Sequence, residues 1–330
     1  MLQYDVTRKR VSNIGMGWLA AMLLGCSPEV ADEGAQAGVG DGDGDGDGDG
    51  DGDGDGDGDG DGDAHEPPCA SQYPGMICIP EGPFIMGSTD LGKHLEELEM
   101  PEQVVYMSQF HIDRHEVTFG EYRACVNAGV CTPPAAEDPA NDLTFGCRWG
   151  QAGIDYYPVA CVGWLEALEY CEWRGAALPT EAQWEKAGRG TDGRTYPWGN
   201  EAPSCDLAGI MTNPEEWGEE GEWGCGTGMA ERVGSHSPEG DSPYGAQDMV
   251  GNVSELVADW LGPGQADLGA DPVGLESGVY KIRKGGSYLS SKSDDEQGGW
   301  LHLAWRGRGG GPVPGYHLGG SVGFRCAISE

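Results

Sequence analysis

Positive charge is scarce in this chain. It has 19 lysines and arginines against 56 aspartates and glutamates, which gives a formal net charge of −37. So acidic a surface repels phosphate backbones and anionic lipid headgroups, which excludes nucleic acids and anionic membranes as partners held by charge attraction. It suits cations, or a compartment that is rich in Ca²⁺.

The chain also lacks an apolar run long enough to cross a bilayer comfortably. A short apolar run follows the basic residues 8–10 and ends in Leu23-Leu24-Gly25-Cys26. This order is typical of a signal peptide, and its last four residues resemble a bacterial lipobox. We predict a lipoprotein signal peptide over 1–25, lipidation of Cys26, and export to the cell envelope with lipid anchoring to a membrane. An ordinary cleaved signal with a chance cysteine is the alternative.

Apolar side chains are almost absent from residues 27–68. Within them, residues 41–63 alternate Asp and Gly and hold twelve aspartates. This composition cannot bury enough surface to offset the entropy of ordering, so we predict a disordered linker over 26–68. The repeat matches the opening of an EF-hand loop but has Gly at the twelfth position, where such a loop needs a bidentate Glu. Weak, delocalised cation binding is therefore the alternative to a plain spacer.

Free thiols are not expected. The chain has 11 cysteines, and lipidation of Cys26 leaves an even number in an exported protein, which is typical of disulfides. Local spacing suggests three pairs, although spacing alone does not fix the connectivity. The three pairs are Cys69 with Cys78, Cys125 with Cys131, and Cys205 with Cys225.

Clear periodicity is scarce in residues 69–330, where glycine and proline punctuate short segments. Three helices are nevertheless predicted: one capped by Thr118, one over Gly163–Trp173, and one capped by Thr180, where Gln183 completes a capping box. We find no internal repeat and no clear boundary. The sequence therefore predicts a single irregular α+β domain, stapled by disulfides.

Seven motifs occur in an order that resembles one known family. They are "MICIPEGPFIMGS" (76–88), "IDRHEVTFGEYRACV" (112–126), "YPVACVGWLEALEYCEWRGAALPTEAQWEKAGRG" (157–190), "YPWGN" (196–200), "SPYGAQDMVGNVSELVADW" (242–260), "KIRKGGSY" (281–288) and "GFRCA" (323–327). Together they resemble the formylglycine-generating enzyme family, also called sulfatase-modifying factor domains, over nearly all of 69–330. The resemblance implies one compact domain with little regular secondary structure, related to C-type-lectin-like folds. It also implies a Cys171–Cys326 bridge, after which Cys147–Cys161 would complete five.

The chemistry of that family requires two thiols that this chain lacks. Active members oxidise a cysteine of a client sulfatase to formylglycine with O₂ and Cu(I), and two cysteines after a Gly-Gly-Ser turn hold the copper. The resemblance places those cysteines at Ser290 and Asp295, and neither a hydroxyl nor a hard carboxylate suits Cu(I). Ser287 of the turn is retained, whereas Ser254 and Leu256 replace family aromatics. We expect no copper site and no catalytic residues; the alternative is a copper-dependent oxidoreductase with altered ligands.

The resemblance also implies calcium. It places hard oxygen ligands at Asn252 and Glu255, with backbone carbonyls, and Asp206 is a weaker candidate for a second site. The alternative is that these residues only stabilise turns and cap helices, without binding calcium. A related branch of the family uses iron held by histidines, but the spacing of His111 and His115 is better explained by ordinary histidines.

The remaining expectation is a recognition surface near the copper-loop position. Residues 304–327 resemble the C-terminal region of lectin-like, diversified binding proteins built on this fold. Nearby side chains mix hydrogen-bonding groups with aromatic rings, as recognition surfaces do. The candidates are Ser287, Ser290, Ser291, Asp294, Asp295, Trp300, His302 and Trp305. An exposed polar loop with two core tryptophans is the alternative.

These observations favour a membrane-anchored lipoprotein whose domain binds a ligand or protein at the cell envelope without catalysis. An oxidoreductase is the alternative class. An envelope spacer that binds no ligand is the third.

Overall fold

A computed structural model describes residues 69–89, 101–136, 146–212, 220–263, 268–291, 300–313 and 318–330. All of them belong to one unit of the chain, Gly62–Glu330. The predicted signal peptide, Cys26 and the predicted linker lie outside the described residues, and so do Asp294 and Asp295. Within the described ranges, no helix is long and apolar enough to cross a bilayer.

The described residues contain the three predicted α-helices, two of which begin at their predicted capping residues. They are α1 (Phe119–Asn127), α2 (Trp164–Trp173) and α3 (Glu181–Arg189). Thr118 and Thr180 each accept a backbone hydrogen bond at the start of a helix and complete a capping box. Each such cap satisfies backbone donors that the first turn leaves unpaired, and contributes about 1 kcal/mol. A short 3₁₀ segment covers Glu220–Gly226.

In the described part of the chain, nine short strands form three small sheets. The strands are β1 (Met76–Ile79), β2 (Gly82–Met86), β3 (Gln103–Met107), β4 (Phe110–Asp113), β5 (Ser254–Trp260), β6 (Lys281–Lys284), β7 (Gly307–Arg308), β8 (Val322–Phe324) and β9 (Ala327–Ser329). Their orders are β1-β4-β9, β2-β3 and β7-β6-β5-β8; among these described strands the β5–β8 pair is parallel and the other pairs are antiparallel. Short strands, three helices and long connections confirm the predicted irregular α+β class.

Disulfides join segments that this sparse secondary structure leaves apart. The described residues contain five bridges: Cys69–Cys78, Cys125–Cys131, Cys147–Cys161, Cys171–Cys326 and Cys205–Cys225. The disulfide-stapled character predicted from the sequence is therefore confirmed. The longest bridge in sequence separation, 155 residues, ties α2 to the loop between β8 and β9.

Helix α3 fixes the end of strand β6, after which the Gly-Gly turn begins. Lys284, the last residue of β6, is fully buried, and its Nζ lies 3.3 Å from a carboxylate oxygen of Glu181 and 3.1 Å from one of Glu185. Arg189 pairs with Glu185 at 2.9 Å on the same helix. Arg306 also lies 2.8 Å from Glu181, so three cations surround the two buried carboxylates, and buried charges are tolerated when they are paired in this way.

Candidate functional site

The Gly-Gly turn after β6 requires glycine. Gly285 and Gly286 both have positive φ, 84° and 66°. A Cβ on Gly285 would lie 2.6 Å from the backbone oxygen of Met249 and 3.2 Å from the ring of Trp184. The turn thus packs directly against α3, and the residues that follow it are held in one place.

The serines after the turn are buried and bonded to the local backbone. Ser290 Oγ accepts the backbone N–H of Ser287 at 3.1 Å, and Ser287 Oγ accepts that of Leu289 at 3.3 Å. The carbonyl of Ser290 accepts the N–H of Met211 at 2.8 Å, and Ser291 is fully buried beside Met211 in a β-bridge. These serines therefore stabilise the turn rather than line an open surface.

A buried arginine organises the polar groups behind the turn. Arg325 donates from Nη2 and Nε to the two carboxylate oxygens of Glu255, both at 2.6 Å. It also donates to the backbone oxygens of Asp113, Arg114 and Gln247. Charge-assisted, bidentate bonds of this kind are among the stronger polar interactions in proteins.

Two further carboxyl groups lie near this ion pair. Burial, and then the charges of Asp248 and Glu255, raise the pKa of Glu116 well above its usual range, and Arg325 opposes that rise. Burial also raises the pKa of Asp248, against a 2.5 Å bond from the backbone N–H of Gly234. One guanidinium therefore faces the buried Glu116 and Glu255 and the half-buried Asp248, and the raised pKa values of Glu116 and Asp248 mean that the fold favours their protonated forms.

Comparison with known proteins identifies the family. The family model of the "Sulfatase-modifying factor enzyme 1-like domain" matches residues 62–330. The chain belongs to the sulfatase-modifying factor family. This confirms the resemblance drawn from the seven motifs.

Relatives and solved structures agree with that assignment. A formylglycine-generating enzyme of Thermomonospora curvata is 34% identical over 66% of this chain and 84% of its own length. Hercynine oxygenase of Mycolicibacterium smegmatis is 30% identical over 64% of this chain and 54% of its own length. The structure of PvdO from Pseudomonas aeruginosa has a TM-score of 0.60 at 22% identity, covering 77% of this chain and 94% of that one. The relatives of this chain thus differ in function, so the fold does not decide the function and the site has to.

The sulfatase-modifying factor copper site does not fit the residues present here. Cu(I) favours soft thiolate ligands. One implied ligand position is Ser290, whose hydroxyl is bonded to the turn, and the other, Asp295, lies outside the described residues. All ten cysteines of the described ranges are in disulfides. No thiolate is therefore available in that part of the chain.

The aromatic positions of the family's pocket are also changed. Ser254 begins β5 and is buried, with its N–H bonded to the backbone oxygen of Ser321 at 2.9 Å. Leu256 is fully buried and pairs with Phe324 of β8. Both positions therefore serve the packing of the four-stranded sheet.

The predicted calcium ligands are engaged elsewhere. Asn252 donates from Nδ2 to Glu116 at 3.0 Å, and its Oδ1 accepts the backbone N–H of Glu231 at 2.8 Å. Glu255 accepts from Arg325 and from the indole N–H of Trp184. A guanidinium already occupies the position that a cation would take at this carboxylate, so the arrangement does not fit Ca²⁺. Calcium binding stays a prediction that would require this pair to rearrange.

The other metal candidates are not assembled either. Asp206 is exposed in a turn, and no group of three or more His, Cys, Asp or Glu side chains in the described ranges could hold a metal ion. His111 is buried between Ser71 and Glu330, and His115 lies 2.9 Å from the backbone oxygen of Glu116. Ordinary hydrogen bonds therefore account for both histidines.

Of the predicted recognition residues, those that the structure describes do not share one exposed surface. Trp300 is 40% exposed and His302 is half-buried, with its ring edge-on to Tyr196. Trp305 is buried against Gly307, and Arg283 lies over its ring at 5.6 Å. With the three serines buried, a ligand at the surface would meet Trp300 and His302 first. Sequence reasoning missed Arg325, although its place between Phe324 and Cys326 in "GFRCA", two core residues, was an available signal.

Proposed function

We propose that this sulfatase-modifying factor domain is a non-catalytic binding domain at the cell envelope. The observation that carries the proposal is the chemistry at the copper-loop position. There, Ser290 is a buried hydroxyl bonded to the turn, and every cysteine of the described ranges is paired. A domain that keeps the family's scaffold can still bind a ligand. Without thiolate ligands for copper, however, it lacks what the family's oxidation step requires.

Export and anchoring belong to the same proposal. Five disulfides support an oxidising compartment, because reducing cytosol does not maintain them. The lipobox-like Leu23-Leu24-Gly25-Cys26 supports lipidation at Cys26, and the acidic segment that follows supports a spacer between membrane and domain. The ligand would be a molecule or protein of the envelope.

Thiol titration of the intact protein tests the non-catalytic part. Without reductant we expect no reactive thiol, either in the folded protein or in denaturant, because the cysteines of the domain are bridged and Cys26 is lipidated. The variant Ser290→Cys is the matched control, and should show one thiol once the protein is denatured. Two reactive thiols in the unmodified chain would contradict the proposal and favour a copper-dependent oxidoreductase.

A further inference from the structure

A cleft lies beside the end of helix α3. Its walls come from segments that are far apart in the sequence, namely residues 88–89, Glu102, residues 193–200 and residues 302–304. Part of the third segment is a tight hairpin, in which Tyr196 and Gly199 exchange backbone hydrogen bonds at 2.9 and 3.1 Å. The backbone N–H of Leu303 donates to the backbone oxygen of Thr195 at 3.0 Å. These bonds fix the walls relative to one another, so the cleft is formed before any ligand binds.

The buried guanidinium of Arg189 lines the cleft and joins two of its walls. It donates to the backbone oxygen of Gly87 on one side, and to those of Gly193 and Arg194 on the other. Its charge is paired with Glu185 at 2.9 Å. These bonds use four of the five N–H groups. The fifth, on Nη2, has no acceptor in the described ranges, although Arg189 is only 4% exposed. An unbonded buried donor is costly, so the cleft favours a ligand oxygen at this N–H.

Other polar side chains of the lining also have hydrogen-bonding groups to spare. Glu102 and Thr89 are exposed and have no hydrogen-bond partner within the described ranges. Asn200 accepts the backbone N–H of Thr195 through Oδ1 at 2.9 Å, which leaves its Nδ2 without an acceptor among the same residues. The cleft therefore offers donors from Arg189 and Asn200 together with a carboxylate acceptor. A hydroxyl group both donates and accepts, so a ligand with several hydroxyl groups matches this mixture.

The charges around the cleft disfavour an ionic ligand. The charge of Arg189 is already balanced by Glu185, so an anion would meet the carboxylate of Glu102 and the net charge of −37 on the chain. A cation would be attracted to Glu102, but it could not use the donors of Arg189 and Asn200. A neutral ligand that carries hydroxyl groups avoids both conflicts.

The size of the cleft and its aromatic side favour a single sugar ring. The cleft has a volume of about 300 Å³. This lies at the lower end of the range for ligand pockets, roughly 300–1,000 Å³. Tyr196 and His302 line the cleft, and the ring of Tyr196 stacks on Trp198 at 5.3 Å and meets His302 edge-on at 5.5 Å. Packed rings of this kind give a rigid apolar surface for the C–H groups of a sugar.

We propose that this cleft binds one pyranose ring of an uncharged saccharide through Glu102, Arg189 and Asn200. The inference rests on the proposed function, because it names the ligand class of the binding domain. His302, a predicted recognition residue, lines the cleft. The recognition surface is therefore displaced from the buried serines of the Gly-Gly turn to the neighbouring walls of this cleft.

The test is a saturation-transfer NMR titration of the full chain with the methyl glycosides of glucose, galactose, mannose and N-acetylglucosamine. We expect at least one of them to bind with a Kd below about 10 mM. Glu102→Ala and Thr89→Val should each weaken that binding by about fivefold or more, because each removes a hydrogen-bonding group from the lining. Both residues are exposed, so the fold should persist. Glu201→Ala is the matched control and should leave the binding unchanged, because Glu201 is exposed beside Asn200 but does not line the cleft.

Three results would overturn the saccharide site. The first is that none of the four glycosides binds, and the second is that Glu102→Ala and Thr89→Val both leave the affinity unchanged. The third is tighter binding of the methyl glycoside of glucosamine than of the N-acetylglucosamine one, which would indicate a site for a cation. None of these results bears on the thiol titration, so the site can fail while the proposed non-catalytic function stands.

Discussion

Replacement of Arg325 by methionine should lower the free energy of unfolding by about 3–5 kcal/mol at neutral pH. Arg325 is fully buried and is bound through both oxygens of Glu255. Removing one partner of a buried ion pair leaves the other charge unpaired, which is far more costly than losing a surface pair. The measurement is urea-induced unfolding followed by tryptophan fluorescence.

This loss should depend on pH with a defined sign. The folded state raises the pKa of Glu116 and Asp248, so it binds their protons more tightly than the unfolded chain does. Their contribution to stability is therefore present at low pH and lost as pH rises through the raised values. Without Arg325, the folded state favours the protonated forms of these carboxyl groups still more strongly. The loss of unfolding free energy in Arg325→Met should therefore be smaller at pH 5 than at pH 7.5.

Two companion variants keep this prediction testable. Arg325→Lys retains the charge but loses the bidentate bond, so its free energy of unfolding should lie between those of the original chain and of Arg325→Met. The lysine variant also allows the test if the methionine variant does not fold. Arg308→Met removes an exposed arginine from a tyrosine ring and should cost less than about 1 kcal/mol. A deficit below about 1 kcal/mol for Arg325→Met, or one that does not vary with pH, would contradict the structural role given to Arg325.

Removal of the Cys171–Cys326 bridge should cost about 5 kcal/mol. The bridge closes a loop of 155 residues, and a cross-link stabilises mainly by restricting the unfolded chain, more so for longer loops. The variant is the double alanine replacement, and the measurement is the free energy of unfolding with the other bridges intact.

The Cys125–Cys131 bridge provides a matched control. It closes a loop of 6 residues, for which the same relation gives about 2 kcal/mol. All four cysteines are buried, so the loss of sulfur packing is similar in the two variants and the difference isolates the loop length. Equal losses in the two variants would show that loop closure is not what the long bridge contributes.

Local signals in the sequence predicted the helices well. Thr118 and Thr180 mark helix starts because their hydroxyls satisfy backbone donors, a rule that acts within four residues. The sheets were not predictable in the same way. Strand β5 pairs with β6 and β8, and β4 pairs with β1 and β9, so their order depends on contacts between distant segments. The strands are also too short to show a clear alternation of apolar and polar residues.

The candidate site also has features that the sequence predicts and features that depend on distant contacts. The sequence alone supports the prediction that copper ligands are missing, because this prediction depends on residue types at positions that motifs fix. The roles of Asn252 and Glu255 were not visible, because both depend on partners far away in sequence, Glu116 and Arg325.

Copper-dependent oxidation tests the central claim most directly. The full chain, loaded with Cu(I) under O₂, is incubated with a peptide that carries a sulfatase-type cysteine motif, and aldehyde formation is followed by mass spectrometry. The formylglycine-generating enzyme of Thermomonospora curvata serves as the positive control. We predict no aldehyde above the level that free copper produces. Aldehyde that forms only when both the chain and copper are present would contradict the account.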